Sequence, residues 1–426
     1  MELDKKKRNI VLVILSMIAG IAYLTPLIRF SFYDQMIVAL NITDVELGTI
    51  AGVYGLFNVI GYLPSGILAE KFNTKKLLIL SCVAMCAVTV WYSTFPGYTE
   101  LIVIHALYGI FSVGTFWSPY LKAIRNLGSE SEQGRLFGIS EGLRGIGQTA
   151  VAFICLGAMG LFATQAAGFR AVLLINAVAF AILAALVVIM VPDFDKGKNQ
   201  KTATVEKKES MWKAFGKSST WLCIFVILCG YTLWNTANGY MGTYCTRVLN
   251  ISPELSSALS IVRSYIIVFV AGVSGGIIMD KFSLKGKGMF WAFLATGVCV
   301  VAIFMTSKIV GICVAMTIIL AYLVNVIKST YWSILGEAGV PLSMTGIATG
   351  IISFIALTPD IFVAPVISRF LAYGEGIGNV EQGFNMMIFW MIAWAALGIV
   401  SAILLKKRGA KTKQAQAETE VEIQAA

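Results

Sequence analysis

From Asn9 to Leu405 the chain is a succession of apolar stretches separated by short polar breaks, each with the roughly 20 residues needed to cross a bilayer's hydrocarbon core. In that solvent every backbone amide and carbonyl must be satisfied within the chain, so such stretches form helices. Twelve spans are expected, at 9 to 37, 46 to 70, 77 to 95, 100 to 124, 134 to 162, 168 to 191, 219 to 247, 254 to 280, 288 to 306, 310 to 336, 343 to 371 and 382 to 405. The expected class is an all-α membrane protein with both termini on one face. Only 13% of residues are charged and 58% are hydrophobic, against about a quarter charged in soluble domains.

The net charge of +10 does not point to nucleic acid, because 23 of the 33 Lys and Arg fall in the N-terminus, alternate loops and the C-terminal tail. That asymmetry is the positive-inside pattern. It places both termini in the cytoplasm of a multi-pass protein of the inner (plasma) membrane. The first apolar segment runs too long for a cleaved signal and lacks a small-residue cleavage site, so it stays as a membrane anchor. The eight cysteines lack metal-ligand spacing and read as small packing residues. No cofactor or metal is expected, and the partners are a small molecule and membrane lipid.

The longest polar interruption, 193–217, separates an N-terminal bundle (1–192) from a C-terminal bundle (218–406), with a tail at 407–426. It is lysine-rich, and Met211, Trp212 and Phe215 share one side of a short amphipathic helix. The tail after Lys413 is polar and reads as disordered.

The halves repeat. Gly66-Ile-Leu-Ala-Glu70-Lys71-Phe72-Asn73-Thr74-Lys75 returns as Gly276-Ile-Ile-Met-Asp280-Lys281-Phe282-Ser283-Leu284-Lys285, and Thr115-Phe116-Trp117-Ser118 returns as Thr330-Tyr331-Trp332-Ser333. Repeated bundles of this size imply a substrate site near the midplane and transport by rocking one bundle against the other.

The first repeat resembles the loop motif between spans two and three of the major facilitator superfamily, and its recurrence after span eight strengthens the likeness. The resemblance implies twelve helices in two pseudo-symmetric six-helix bundles. It also implies gating contacts at Glu70, Lys71, Asp280 and Lys281. Tyr23 to Leu40, Trp117 to Gly147 and Pro341 to Gly350 resemble the organophosphate:phosphate antiporter branch and its sugar-phosphate-permease-like relatives. In that branch basic residues in spans one, five and seven hold the anion. Arg29 and Arg144 match the first two positions, while Trp234 and Asn235 stand at the third.

Charges inside spans are costly unless they face protein or water, so the buried ones are the candidate site. Arg29 suits an anion, or else forms a structural pair with Asp34 or with another helix. Glu141 and Arg144, one turn apart, form a static salt bridge or a coupling switch in which substrate takes Arg144 while Glu141 takes a proton. Lys328, Asn325 and Trp332 share a helical face. Arg263 in span eight and Asp360 in span eleven, behind Pro359, are the remaining candidates, Asp360 for coupling. Tyr54 and Asn58 in span two, and Tyr231, Trp234, Asn235 and Asn238 in span seven, supply aromatic and amide surface for substrate. Lys122 is expected to reach headgroups or the Glu70 motif, and His105 to be packed or water-facing rather than a proton relay. Neither a nucleotide-binding loop nor a nucleophile triad is present, so an enzyme is not expected. The excess of intramembrane cations favours a small organic anion (sugar acid, sugar phosphate, carboxylate or sulfonate) moved with protons or in exchange for a counter-anion. A neutral sugar carrier or a transporter-like ligand sensor are the alternatives.

Overall fold

The computed structural model describes residues 4–129, 132–195, 218–340 and 345–425. Twelve helices among them are long and apolar enough to cross a membrane: Lys5–Leu24, Asp44–Lys71, Thr74–Ser93, Tyr98–Arg125, Arg135–Met159, Gln165–Met190, Ser218–Arg247, Pro253–Asp280, Lys285–Thr306, Val310–Ile334, Ile351–Gly376 and Val380–Lys411. They are numbered spans one to twelve. The face on which the chain begins is called proximal, and the face reached at Asn41 is called distal.

Local chemistry sets the ends. Span one breaks at Thr25–Ile28, beside Pro26, and resumes as Arg29–Leu40. It stops at Asn41, whose φ of 52° is a left-handed conformation that asparagine tolerates. Span two starts on a capping box in which Thr43 and Glu46 bond each other's backbone amides. Spans four and eight each contain a π-helical turn, Ile110–Gly114 and Val262–Ile266, a rare geometry often found where a side chain must be re-aimed. Span eleven is interrupted before Pro359 and restarts there, because proline has no amide to continue the ladder. The last helix continues to Ala425, so the tail expected to be disordered is helical. Its Ala, Gln, Lys and Glu residues are good helix formers. The amphipathic stretch expected at 209–217 and most of the linker lie outside the described residues.

Two compact units emerge. The first comprises described residues within Met1–Lys201, Gly242–Ile266 and Asp360–Ala372, and the second those within Thr202–Met241, Ile267–Pro359 and Tyr373–Ala426. In the first, a buried hydroxyl chain joins spans one, four and five: Ser16 Oγ lies 2.7 Å from Ser140 Oγ, which lies 2.8 Å from the Tyr120 hydroxyl. Thr25 Oγ1 donates to Asn176 Oδ1 at 3.0 Å, tying span one to span six. In the second, Phe293 of span nine packs on Gly398 of span twelve, and Val326 of span ten on Gly275 of span eight. Small residues permit these close helix approaches where the solvent offers no hydrophobic drive.

Candidate functional site

In the first unit spans one and five meet at Gly20, where a Cβ would stand 3.1 Å from the carbonyl oxygen of Arg144. Arg144 pairs with Glu141 through Nη2 at 2.6 Å. Their side chains keep 27% and 53% exposure, and a charged pair this open within a span is costly against lipid. Beside it stands an aromatic wall. Trp117 makes edge contacts with Tyr23 and Tyr62, with centroids 5.7 and 6.5 Å apart.

Tyr54, Asn58 and Tyr62 share one face of span two. Gly109 of span four lies against the backbone of Tyr54 and Asn58, and the π-helical turn that follows carries Ser112 toward them. From the other side, span eleven seats its restart on span two. A Cβ on Gly48, Gly52 or Gly55 would strike Ser368, the Ile361 carbonyl with Pro365, or the Asp360 carbonyl. Asp360 therefore joins Tyr54 and Tyr62, and its charge acts on both phenols.

Arg29 is buried, its guanidinium 4.7 Å from the Phe30 ring centroid and its charge felt at His105. His105 is packed as expected: Nδ1 lies 2.8 Å from the Leu101 carbonyl, and Tyr92 and Tyr108 present ring edges. Arg263 is likewise buried on its π-helical turn and donates to Ser260 Oγ at 2.8 Å and Cys245 Sγ at 3.5 Å.

A distal ion cluster departs from the expected pairings. Arg247, at the end of span seven, donates from Nε to Asp34 at 2.8 Å and from Nη1 and Nη2 to Asp44 at 2.7 and 3.2 Å. Tyr33 donates to Asp44 at 2.7 Å and Thr243 to Asp34 at 2.8 Å. Asp34 is thus a partner of Arg247. Gln35 of span one adds a bond to Ser257 of span eight at 3.0 Å.

In the second unit the structure joins two groups that helical spacing leaves separate. Lys328 Nζ sits 3.2 Å from the Trp234 ring centroid and 5.9 Å from that of Tyr231, a cation–π arrangement. Tyr231 and Trp234 stack at 5.3 Å. Trp234 Nε1 donates to Asn325 Oδ1 at 2.9 Å, and Asn238 Nδ2 donates to the Trp234 carbonyl at 2.9 Å. Asn235 is buried alongside, while Trp332 is half-buried in edge contact with Tyr331.

At the proximal face the two repeats share one plan. Lys122 donates to the Ala69 carbonyl at 2.7 Å, and Lys285 Nζ donates to the Met279 carbonyl at 3.2 Å, in each case closing the end of a motif helix. A carboxylate then caps the next helix. Asp195 accepts from Thr74 N at 2.7 Å, and Glu337 accepts from Lys285 N and from Gly286 N, the latter at 3.0 Å. Burial alone would raise the Asp195 carboxyl, but the Thr74 amide and the Lys122 ammonium, 2.9 Å away, hold it below its ordinary value. Asp280 pairs with Lys285 at 2.7 Å. Glu70, Lys71 and Lys281 are exposed.

A family model described as Major Facilitator Superfamily matches residues 9–362. Inner membrane protein YqcE of Escherichia coli (strain K12) is 27% identical over 94% of either chain, and inner membrane protein YihN of the same organism is 24% identical over 96% of this chain and 98% of its own. Among solved structures, a bacterial homolog of the human lysosomal transporter Spinster, inward-facing and unoccupied, superposes with a TM-score of 0.77 at 13% identity, covering 96% of this chain and 99% of that one. A D-xylose-proton symporter gives 0.72 at 16% identity over 94% and 98%, and the nucleoside transporter NupG gives 0.68 at 14% over 94% and 98%.

Proposed function

The chain belongs to the Major Facilitator Superfamily and is a membrane transporter; on that premise we propose that it is a secondary active transporter of a small organic anion. One observation carries the reading. Each unit sets a cation of a span beside aromatic rings, Arg144 near Tyr23, Tyr62 and Trp117, and Lys328 over Trp234 and Tyr231.

The chemistry follows from these neighbours. Arg144 holds Glu141 until an anionic group takes the guanidinium, which offers two parallel donors to a carboxylate, sulfonate or phosphate. Glu141, released, then binds a proton more readily, because the charge that favoured its ionised form has been taken up. Lys328 lies over ring faces, an attraction of about 0.5–2 kcal/mol, and its ammonium suits a negative group on the ligand. The amides of Asn325, Asn235 and Asn238 suit hydroxyl groups on the same ligand. Arg29 and Arg144 agree with the span-one and span-five positions of the organophosphate:phosphate antiporter branch. We place the protein in the inner membrane, where its two curated relatives are named, with the lysine-rich proximal face and both termini in the cytoplasm. Transport runs by alternating access, by proton symport or by anion exchange.

The test is thermal stabilisation of purified protein across sugar acids, sugar phosphates, carboxylates, sulfonates and neutral sugars. The expected result is a saturable shift with one anion class that is lost in Arg144→Ala and in Lys328→Met. A shift with neutral sugars alone, retained in both variants, would replace this reading with that of a neutral sugar carrier.

A further inference from the structure

We propose that the groove between the proximal ends of spans seven and twelve binds an acidic phospholipid of the surrounding bilayer. This site goes beyond the cargo reading and does not depend on it.

Two helix faces make the groove. Ser218, Trp221, Leu222 and Phe225 follow one another at i, i+3, i+4 and i+7 on span seven and so share one face, while Leu404 and Arg408 stand one turn apart on span twelve. Together they border an open cavity of about 340 Å³, within the roughly 300–1,000 Å³ of small-molecule sites. The wall on span twelve is held from behind. Gly409 lies against the Glu337 side chain, and the Lys406 backbone lies against Gly286, which fixes the rotation of the turn that carries Arg408.

Polarity grades along the groove. Ser218 and Arg408 stand at its proximal end, and at 1.5 Å per residue Phe225 and Leu404 lie about 10 and 6 Å further into the span. Phe225 and Leu404 are 50% and 51% exposed, and on spanning helices such exposure is to acyl chains. Between the two levels sits Trp221, half-buried, a residue type enriched where headgroup meets hydrocarbon. A polar mouth over an apolar floor that opens to the bilayer matches a phospholipid. A water-soluble phosphate would make no use of the floor.

Charge selects the headgroup. Among the described residues no carboxylate lines the groove, and Lys406, Lys407, Arg408 and Lys411 are exposed together at the end of span twelve. Basic pockets between membrane helices take acidic headgroups on this ground. The Arg408 guanidinium has five N–H donors in a planar fork, so it can serve a neighbour in the protein and a lipid phosphate at once. Ser218 and Ser219 add hydroxyls to the lining for the remaining headgroup oxygens.

The experiment combines native mass spectrometry and melting of the full-length protein in detergent at constant ionic strength. It is titrated with phosphatidylglycerol, with phosphatidylcholine of the same acyl chains, and with glycerol 3-phosphate. Phosphatidylglycerol is expected to remain bound and to raise the melting temperature saturably, while the other two do not. Arg408→Gln should weaken phosphatidylglycerol by at least about tenfold, the lower end for a hydrogen bond to a charged group. Lys407→Gln removes the same charge outside the lining and should change little. Leu404→Trp keeps every charge but fills the groove, and should weaken the lipid as well. Arg144→Ala should leave the lipid response intact while removing any cargo response, which separates failure of the cargo reading from failure of this one. Equal weakening by Lys407→Gln and Arg408→Gln would overturn the proposal, assigning the lipid to diffuse surface charge. An equal response to phosphatidylcholine or to glycerol 3-phosphate would also overturn it. So would a protein that retains no acidic lipid at any ratio, which would leave the groove to a protein surface.

Discussion

Removing the Arg247 side chain should unlatch the distal ends of spans one, two and seven. In the structure this guanidinium is the shared partner of Asp34 and Asp44, with three contacts of 2.7 to 3.2 Å. Asp44 is 3% exposed and Asp34 19%. Arg247→Ala leaves the Asp44 carboxylate buried with only Tyr33 as donor, and breaking a buried pair this way costs about 3–5 kcal/mol. Because Asp34 retains access to water, about 3 kcal/mol is the working figure, a shift of about two powers of ten toward a state with the distal ends apart. Spin labels at Val38→Cys and Leu255→Cys, both exposed, in a Cys86→Ser background would report the change as a longer distance. Arg247→Met combined with Asp44→Asn should recover much of the short distance, since no buried charge is left unpaired. An unchanged distance and melting temperature in Arg247→Ala would refute the latch.

Three further outcomes follow from the same geometry. Gly55→Ala would drive a methyl group onto the Asp360 carbonyl, so it should destabilise the protein by at least the 1–3 kcal/mol typical of overpacking and lengthen the same label distance, as read by melting and by spin labels. Lys328→Met should abolish the anion-induced shift, as read by denaturation with and without ligand. Asp195 contributes stability that is present above its unfolded value near 3.9 and lost as pH falls through its lower folded value. Asp195→Asn should therefore lower the melting temperature at neutral pH, and the difference should close in strong acid.

The twelve spans are legible in the sequence because bilayer length and hydropathy constrain each stretch independently; most limits agree to within a few residues, while span one ends at Leu24 rather than 37 and span eleven begins at Ile351 rather than 343, each in a stretch that a proline breaks. Repetition of the Glu70 and Asp280 motifs makes the internal repeat readable in the same way. Helical spacing also places Tyr54 with Asn58 on span two, and Asn325 with Lys328 on span ten. Pairings between distant spans are not legible. Arg247 reaches Asp34 across 213 positions, and the only hint in the sequence is that the first loop's acids and the end of span seven share a face. Ser112 escapes sequence reasoning because a π-helical turn leaves no periodic trace, and without it Tyr54 and Asn58 read as substrate surface rather than as neighbours of Asp360. Glu337, just past the tenth expected span, caps the start of span nine, a role that nothing in its local sequence announces. The helix of the tail is obscured because its polarity suggests disorder while its residues individually favour helix.

That Arg144 meets an anion that crosses the membrane is tested by reconstituting the protein in proteoliposomes on a solid-supported membrane and stepping in the anion class that stabilises it. A transient current that saturates with anion concentration and vanishes in Arg144→Ala is the predicted result. A current of unchanged size in Arg144→Ala, or one evoked equally by neutral sugars, would contradict the account.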